Sequence, residues 1–279
     1  MNNGLRVPCT YQGGKQRISK KIVDSFFEAN SIDNQTLFFD LCCGSGAISI
    51  ELVNRGISPN NIIMLDISSW GAFWNAIGKG SFNMDVFNSF LLGLPDDKRL
   101  YKEYLTKLVE NSNSTFEAEL YTILQSNSFG GKQISFKDGC WKNACFRKYW
   151  EPTENSVRRS PANPMQPSPA ELKRRVELIQ EKMFGVTCLQ KDIMDFFTYD
   201  IPENAVVYVD PPYRNTTGYS YFFNIEDFIN QYLCTFRAPL YISENVALSQ
   251  KAVRLHLSGA NGGITGSRKK KHEEWLSSF

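Results

Sequence analysis

Short apolar runs that end in an acid and alternate with helical patterns predict an α/β protein, with a mostly parallel sheet and helices on both faces. Three runs carry that expectation: Thr36–Leu41 with Asp40 near its end, Ile62–Leu65 before Asp66, and Val206–Val209 before Asp210. A chain of 279 residues holds one such domain plus an insertion. The formal net charge is only +2, so any surface for a polyanion must come from local clustering. Seven cysteines without paired CxxC spacing suit reduced thiols, and no metal site is expected. With no signal-like segment and no apolar run of membrane-spanning length, a soluble cytoplasmic protein is expected.

Taken in order, Cys9-Thr-Tyr-Gln-Gly-Gly-Lys-Gln-Arg17 sets a glycine pair and Lys15 before a helical pattern of Ile18, Ile22, Val23, Phe26 and Phe27. Gly13 and Gly14 allow close backbone approach, and Lys15 is placed to meet an anion near a helix start. The spacing is not that of a P-loop, and taken alone it reads as a surface turn. Next, Thr36–Leu41 leads into Cys42-Cys43-Gly44-Ser45-Gly46 and a helix through Ile48, Ile50, Leu52 and Val53 that stops near Gly56. Strand, glycine turn and helix form the usual layout for a nucleotide-type cofactor, and Asp66, after the next strand, is placed to accept ribose hydroxyls. Cys42 and Cys43 read as core packing.

The aromatics Trp70, Phe73, Trp74, Phe82, Phe87 and Phe90 read as helix faces against the sheet. Helices are expected from Leu100 to Val109 and from Phe116 to Leu124, the second entered through Asn113, Ser114 or Thr115. Residues 126–150 interleave Phe136, Trp141, Phe146, Tyr149 and Trp150 with basic residues. From Lys132 to Arg175 ten Lys and Arg face four acids. Such residues neutralise phosphates, and exposed aromatics can wedge between bases; a solvated basic loop has the same composition. A proline-rich loop, 152–169, precedes a helix over Ala170–Met183, a strand at Val186–Leu189, and Asp192. Pro239–Ser243 is a further strand, and Lys269, Lys270 and Lys271 read as solvated surface.

The corner at Asp210-Pro211-Pro212-Tyr213 has the most specific chemistry. Two prolines stop the strand and stiffen the turn, which leaves a carboxylate, the Pro212 carbonyl and a tyrosine ring at a strand end. An exocyclic amine conjugated to a base is a weak nucleophile. Acceptors on its two N–H bonds favour a pyramidal nitrogen and free its lone pair. Asp210 and the Pro212 carbonyl suit that role, with Tyr213 stacked on the base.

In this order, Tyr-Gln-Gly-Gly-Lys, Asp-Leu-Cys-Cys-Gly-Ser-Gly, Asp66 and Asp-Pro-Pro-Tyr resemble the Dam-like DNA N6-adenine methyltransferases. The resemblance spans most of the chain and implies a class I methyltransferase fold: a Rossmann-like, mostly parallel sheet with a smaller, mainly helical and loop target-recognition insert. It implies a catalytic domain over residues 1–95 and 180–279, with the insert at 96–179. The implied activity is methyl transfer from S-adenosylmethionine, without a metal, to a flipped adenine in double-stranded DNA. Cofactor-pocket positions fall on Tyr11, Gly14, Lys15, Asp40, Gly44, Gly46, Asp66, Asp192 and Asp210, and catalytic ones on Asp210, Pro211, Pro212 and Tyr213. Lys132, Arg147, Lys148, Arg158 and Arg159 are the DNA-binding candidates, and Arg214–Asn224 is a candidate lid. Partners of such a protein include a cognate restriction enzyme when it works in a restriction-modification pair, and its source is bacterial or phage. An N4-cytosine methyltransferase, which more often has Ser in place of Asp210, and an inactive DNA-binding relative are the alternatives.

Overall fold

A computed structural model describes residues 4–112, 114–212, 223–259 and 271–279. Tyr213, most of the candidate lid, Lys269 and Lys270 lie outside these residues. The main sheet has seven strands: β1 (Phe38–Leu41), β2 (Ile62–Leu65), β5 (Thr187–Leu189), β6 (Val206–Val209), β7 (Leu240–Glu244), β8 (Val253–Gly259) and β9 (Lys271–Ser278). Their spatial order is β5-β2-β1-β6-β7-β9-β8. The first five are parallel, and β9 runs antiparallel to both β7 and β8. Chain order reverses at β1, which lies between β2 and β6. The crevice beyond the carboxyl ends of β1 and β6 is therefore the switch point, where open α/β sheets bind ligands.

Strand side chains alternate between two cores, as a period of two requires. Phe38, Ile62, Met64, Val206, Tyr208 and Tyr241 join the larger core. Phe39, Leu41, Leu65, Val207, Val209, Leu240 and Ile242 join the other. The larger core is covered by α1 (Ser19–Ala29), α2 (Ala47–Asn54), α3 (Ser69–Lys79), α4 (Met84–Leu92) and α7 (Pro169–Lys182). A 3-10 segment, Ile193–Thr198, and α8 (Ile225–Thr235) cover the second. Helix α1 buries Ile22, Val23 and Phe26 but turns Phe27 outward, because its inward stripe is narrower than the apolar run.

The region expected as an insert adds α5 (Tyr101–Asn111), α6 (Glu117–Ser126) and a hairpin of β3 (Ser135–Lys137) and β4 (Cys140–Lys142). Its apolar residues continue the larger core: Trp70 meets Tyr121 edge-on at 4.9 Å, and Tyr121 lies parallel to Trp141. This changes the reading of its aromatics. Trp141 and Phe146 are buried, and the Trp141 indole donates to Ser112 Oγ at 2.9 Å, so neither is available to wedge between bases. Trp150 remains exposed. Helix α6 also starts differently from expectation. A 3-10 turn, Ser114–Phe116, leads into it, and Phe116 occupies the N-cap without a side-chain bond. The β8–β9 hairpin has no counterpart in the sequence expectations.

Candidate active site

The Gly-Gly-Lys turn, the Cys43–Gly46 turn and the Asp-Pro-Pro corner open into one cavity of about 310 Å³ at the switch point. Tyr11, Gly14, Lys15, Asp40, Gly44, Asp66, Asp192, Asp210, Pro211 and Pro212 all line it. Gly46 does not; it caps α2 in the left-handed conformation (φ 71°) directly over the Trp74 ring. Trp74 in turn donates its indole N–H to the Gly44 carbonyl at 2.9 Å, so α3 holds the turn from beneath. Gly44 permits the close approach of Tyr11, whose ring would lie 3.0 Å from an added Cβ.

Each acid at a strand end is held by its own local partners. Asp40 accepts the Ser49 N–H at 3.2 Å and its hydroxyl at 2.7 Å. Burial pushes its carboxyl up to about 7, against the lowering effect of the Ser49 bonds. Asp66 accepts the Gly44 N–H at 2.8 Å on one oxygen, and the N–H and hydroxyl of Ser68 on the other. Burial raises its pKa as well. Three of its roughly four acceptor positions are thus occupied, which leaves one. Asp192 is exposed at the rim, where it caps the 193–198 turn through Met194 N–H at 2.9 Å.

Asp210 receives Lys15 Nζ on Oδ1 at 2.7 Å, while Oδ2 has no hydrogen-bond partner among the described residues. Lys15 also donates to the Gly13 carbonyl at 2.9 Å and lies 3.6 Å from Glu274 Oε1. The anion met by Lys15 is therefore the protein's own carboxylate. Burial pushes Asp210 up to about 6; Lys15 opposes that rise, and Glu274 and Glu244 add to it. With Oδ1 held by a cation, the other oxygen can accept an N–H bond. Cys42 and Cys43 also line the cavity, but burial holds both thiols well above the usual range, so neither is a ready nucleophile.

Glu274, Gln133 and Tyr208 are parts of the site missed in the sequence. Glu274 comes from β9, and Gln133 from the turn after α6, which bonds the first motif through Gln12 N–H to the Gly131 carbonyl at 2.8 Å. Alternation at Val253, Leu255 and Leu257 was a usable signal for the terminal hairpin. Nothing in the sequence signals the pairing of Glu274 with Lys15. Of the DNA-binding candidates, Lys132, Lys148, Arg158 and Arg159 are exposed. Arg147 is half-buried and donates Nε to the Ser128 carbonyl at 2.8 Å. Among the described residues no group of His, Cys, Asp and Glu is arranged to hold a metal ion, and no helix is long and apolar enough to cross a membrane.

A seven-stranded sheet in this order, with a glycine turn and an Asp-Pro-Pro corner sharing the switch-point cavity, defines a class I methyltransferase fold. Residues 11–248 match the family model described as D12 class N6 adenine-specific DNA methyltransferase. The chain belongs to that family and is an adenine-specific DNA methyltransferase, which sets aside the cytosine and non-catalytic readings. No curated protein sequence matches it.

Proposed function

We propose that the protein transfers a methyl group from S-adenosylmethionine to the N6 amino group of an adenine flipped out of double-stranded DNA. The observation that carries this is the single cavity shared by the cofactor-type glycine turn and the Asp210 corner, with Lys15 of the first motif bonded to Asp210. The residues present fit that cofactor. The cavity's volume is at the low end for a small-molecule site, and four carboxylates line it against two lysines, Lys15 and Lys191, an acidic excess that favours a cationic ligand. Asp66 would hold a ribose hydroxyl on its remaining acceptor position, Asp192 would sit beside the adenine end, and Tyr11 would pack against the ligand. Once bound, the cofactor supplies an electrophilic methyl group on a sulfonium.

The remaining chemistry belongs to the chain. Asp210 Oδ2 and the Pro212 carbonyl would each accept one N–H of the target amine and concentrate its lone pair along the line of attack. Tyr213 would stack on the base. Asp210 need not be a strong base, because the amine's proton becomes acidic only after alkylation. Positioning and electrostatics therefore supply the rate, and no covalent enzyme intermediate is needed. Lys132, Lys148, Arg158 and Arg159, exposed on the 96–179 segment, would neutralise backbone phosphates. A cytoplasmic location suits this substrate, and a restriction enzyme is the natural partner if the protein works in a restriction-modification pair.

The test is incorporation of labelled methyl from S-adenosylmethionine into duplex DNA, followed by digestion to nucleosides. Label is expected in N6-methyl-2′-deoxyadenosine for the wild type. Asp210→Ala should lose at least about 100-fold in rate, the scale of one lost transition-state acceptor, while still binding cofactor and DNA. A variant that methylates at the wild-type rate sinks this mechanism.

A further inference from the structure

A second groove, of about 900 Å³, adjoins the cavity and shares Tyr11, Gly14 and Ser45 with it. It is bounded by residues 4–10, the start of α1, the end of α2 and Arg175 of α7. Its walls carry Arg6, Arg17, Lys20, Arg55 and Arg175 against one acid, Glu51. Two of these cations are already engaged. Arg55 bonds Asp24 at 2.6 Å and Glu51 at 2.8 Å; Arg175 bonds Glu171 at 2.8 Å and the Val7 carbonyl at 3.1 Å. Arg6, Arg17 and Lys20 are exposed, and their side chains have no ion-pair or hydrogen-bond partner among the described residues.

Like charges gathered in a concave wall repel one another, and the same geometry focuses their field onto an anion. The overall charge of +2 shows that this concentration is local. It meets the basic 132–175 stretch at Arg175, but its other cations come from the amino-terminal segment, α1 and the end of α2. Arg17 lies in the turn just before α1 and Lys20 in its first turn, and both line the groove. Guanidinium and ammonium groups on a groove leading away from the reacting centre match a phosphodiester chain.

We propose that this groove holds the sugar-phosphate backbone of DNA flanking the target adenine, with Arg6, Arg17 and Lys20 each neutralising a phosphate. The inference rests on the duplex-DNA reading of the active site and extends the DNA footprint from the 132–175 stretch to the amino-terminal segment and α1. Binding is measured against salt concentration for two duplexes, one holding the target with minimal flanks and one extended by about one helical turn, ~10 base pairs, on each side. The wild type is expected to show a steeper log–log salt slope on the longer DNA. The triple variant Arg6→Ala, Arg17→Ala, Lys20→Ala should reduce that slope by about 3, near 0.9 per phosphate contact, with a larger loss on the long duplex than on the short one. Arg6→Lys with Arg17→Lys should keep most of the slope, because a phosphate contact needs the charge more than the fork. A triple variant with the wild-type slope on long DNA overturns the proposal. So does equal loss on both duplexes, or retention of inorganic phosphate by the groove with no change in DNA binding. If the wild type methylates neither duplex, the duplex reading itself fails and this proposal with it; wild-type methylation beside an unaltered variant removes the groove alone.

Discussion

Asp210 lies between one cation and several acids, and that balance sets when it can work. An ionised carboxylate accepts an amine N–H more strongly than the neutral acid and better stabilises positive charge on the nitrogen, and with its pKa pushed up to about 6 Asp210 becomes protonated as pH falls through that value. The expected kcat/KM therefore rises with pH across 5 to 7 and levels off above. The groups facing Asp210 are Lys15, Glu274 and Glu244, with Asp40 acting on it across the cavity. Lys15→Met removes the lowering charge, so the acid limb should move to higher pH. Glu274→Gln removes a raising charge, so the limb should move to lower pH. Profiles of kcat/KM against pH for the three proteins check both signs, and limbs that coincide would exclude Asp210 as the titrating group. Asp210 and its proline corner were legible because the carboxylate and the turn are adjacent in the chain. Glu274 was not, because its partner lies at the other end of the sequence and only the hairpin brings them together.

At the scale of single elements, the glycine turn depends on what lies beneath it. Strands β1, β2 and β6 and the helices between them follow from apolar runs and their punctuation, so they match the sequence expectations closely. Trp74, by contrast, reads as ordinary helix packing until the fold shows its indole on the Gly44 carbonyl. The same ring explains Gly46. A Cβ there would lie 2.3 Å from Trp74 Cζ2, at a positive φ. Gly56 also has a positive φ, of 90°, but an added Cβ meets nothing within 4 Å. Gly56→Ala should thus cost about 1 kcal/mol, from backbone conformation alone. Gly46→Ala should cost more than about 2 kcal/mol, because a buried ring must move as well, and it should disturb the cofactor turn. Urea denaturation of the two variants separates the terms; equal losses would mean that Trp74 yields freely. The 126–150 aromatics make the reverse point: their composition suits base stacking, yet tertiary packing took Trp141 and Phe146 into the core.

Across the whole molecule, the acidic cavity ties stability to ligand binding. Asp40 is raised to about 7, Asp210 to about 6, and Asp66 is raised as well, all from an ordinary 3.8 and all by burial. A folded-state pKa above the unfolded one contributes stability that is full below about pH 4 and is lost as pH climbs through the folded value. The ligand-free protein should therefore lose stability between pH 5 and pH 8. For Asp40 the shift from 3.8 to about 7 corresponds to at most about 4 kcal/mol. Asp40→Asn can keep an acceptor for Ser49 while removing the charge, so it should be more stable than wild type at pH 8 and should gain little at pH 4. A cation bound among these carboxylates favours their ionised forms, so by linkage it binds more weakly as they take up protons. The proposed cofactor should accordingly raise the urea midpoint more at pH 8 than at pH 5, and Asp40→Asn should narrow that difference. Denaturation curves with and without saturating S-adenosylmethionine at the two pH values decide it. Equal stabilisation at both would mean that the carboxylates do not face the ligand's positive charge.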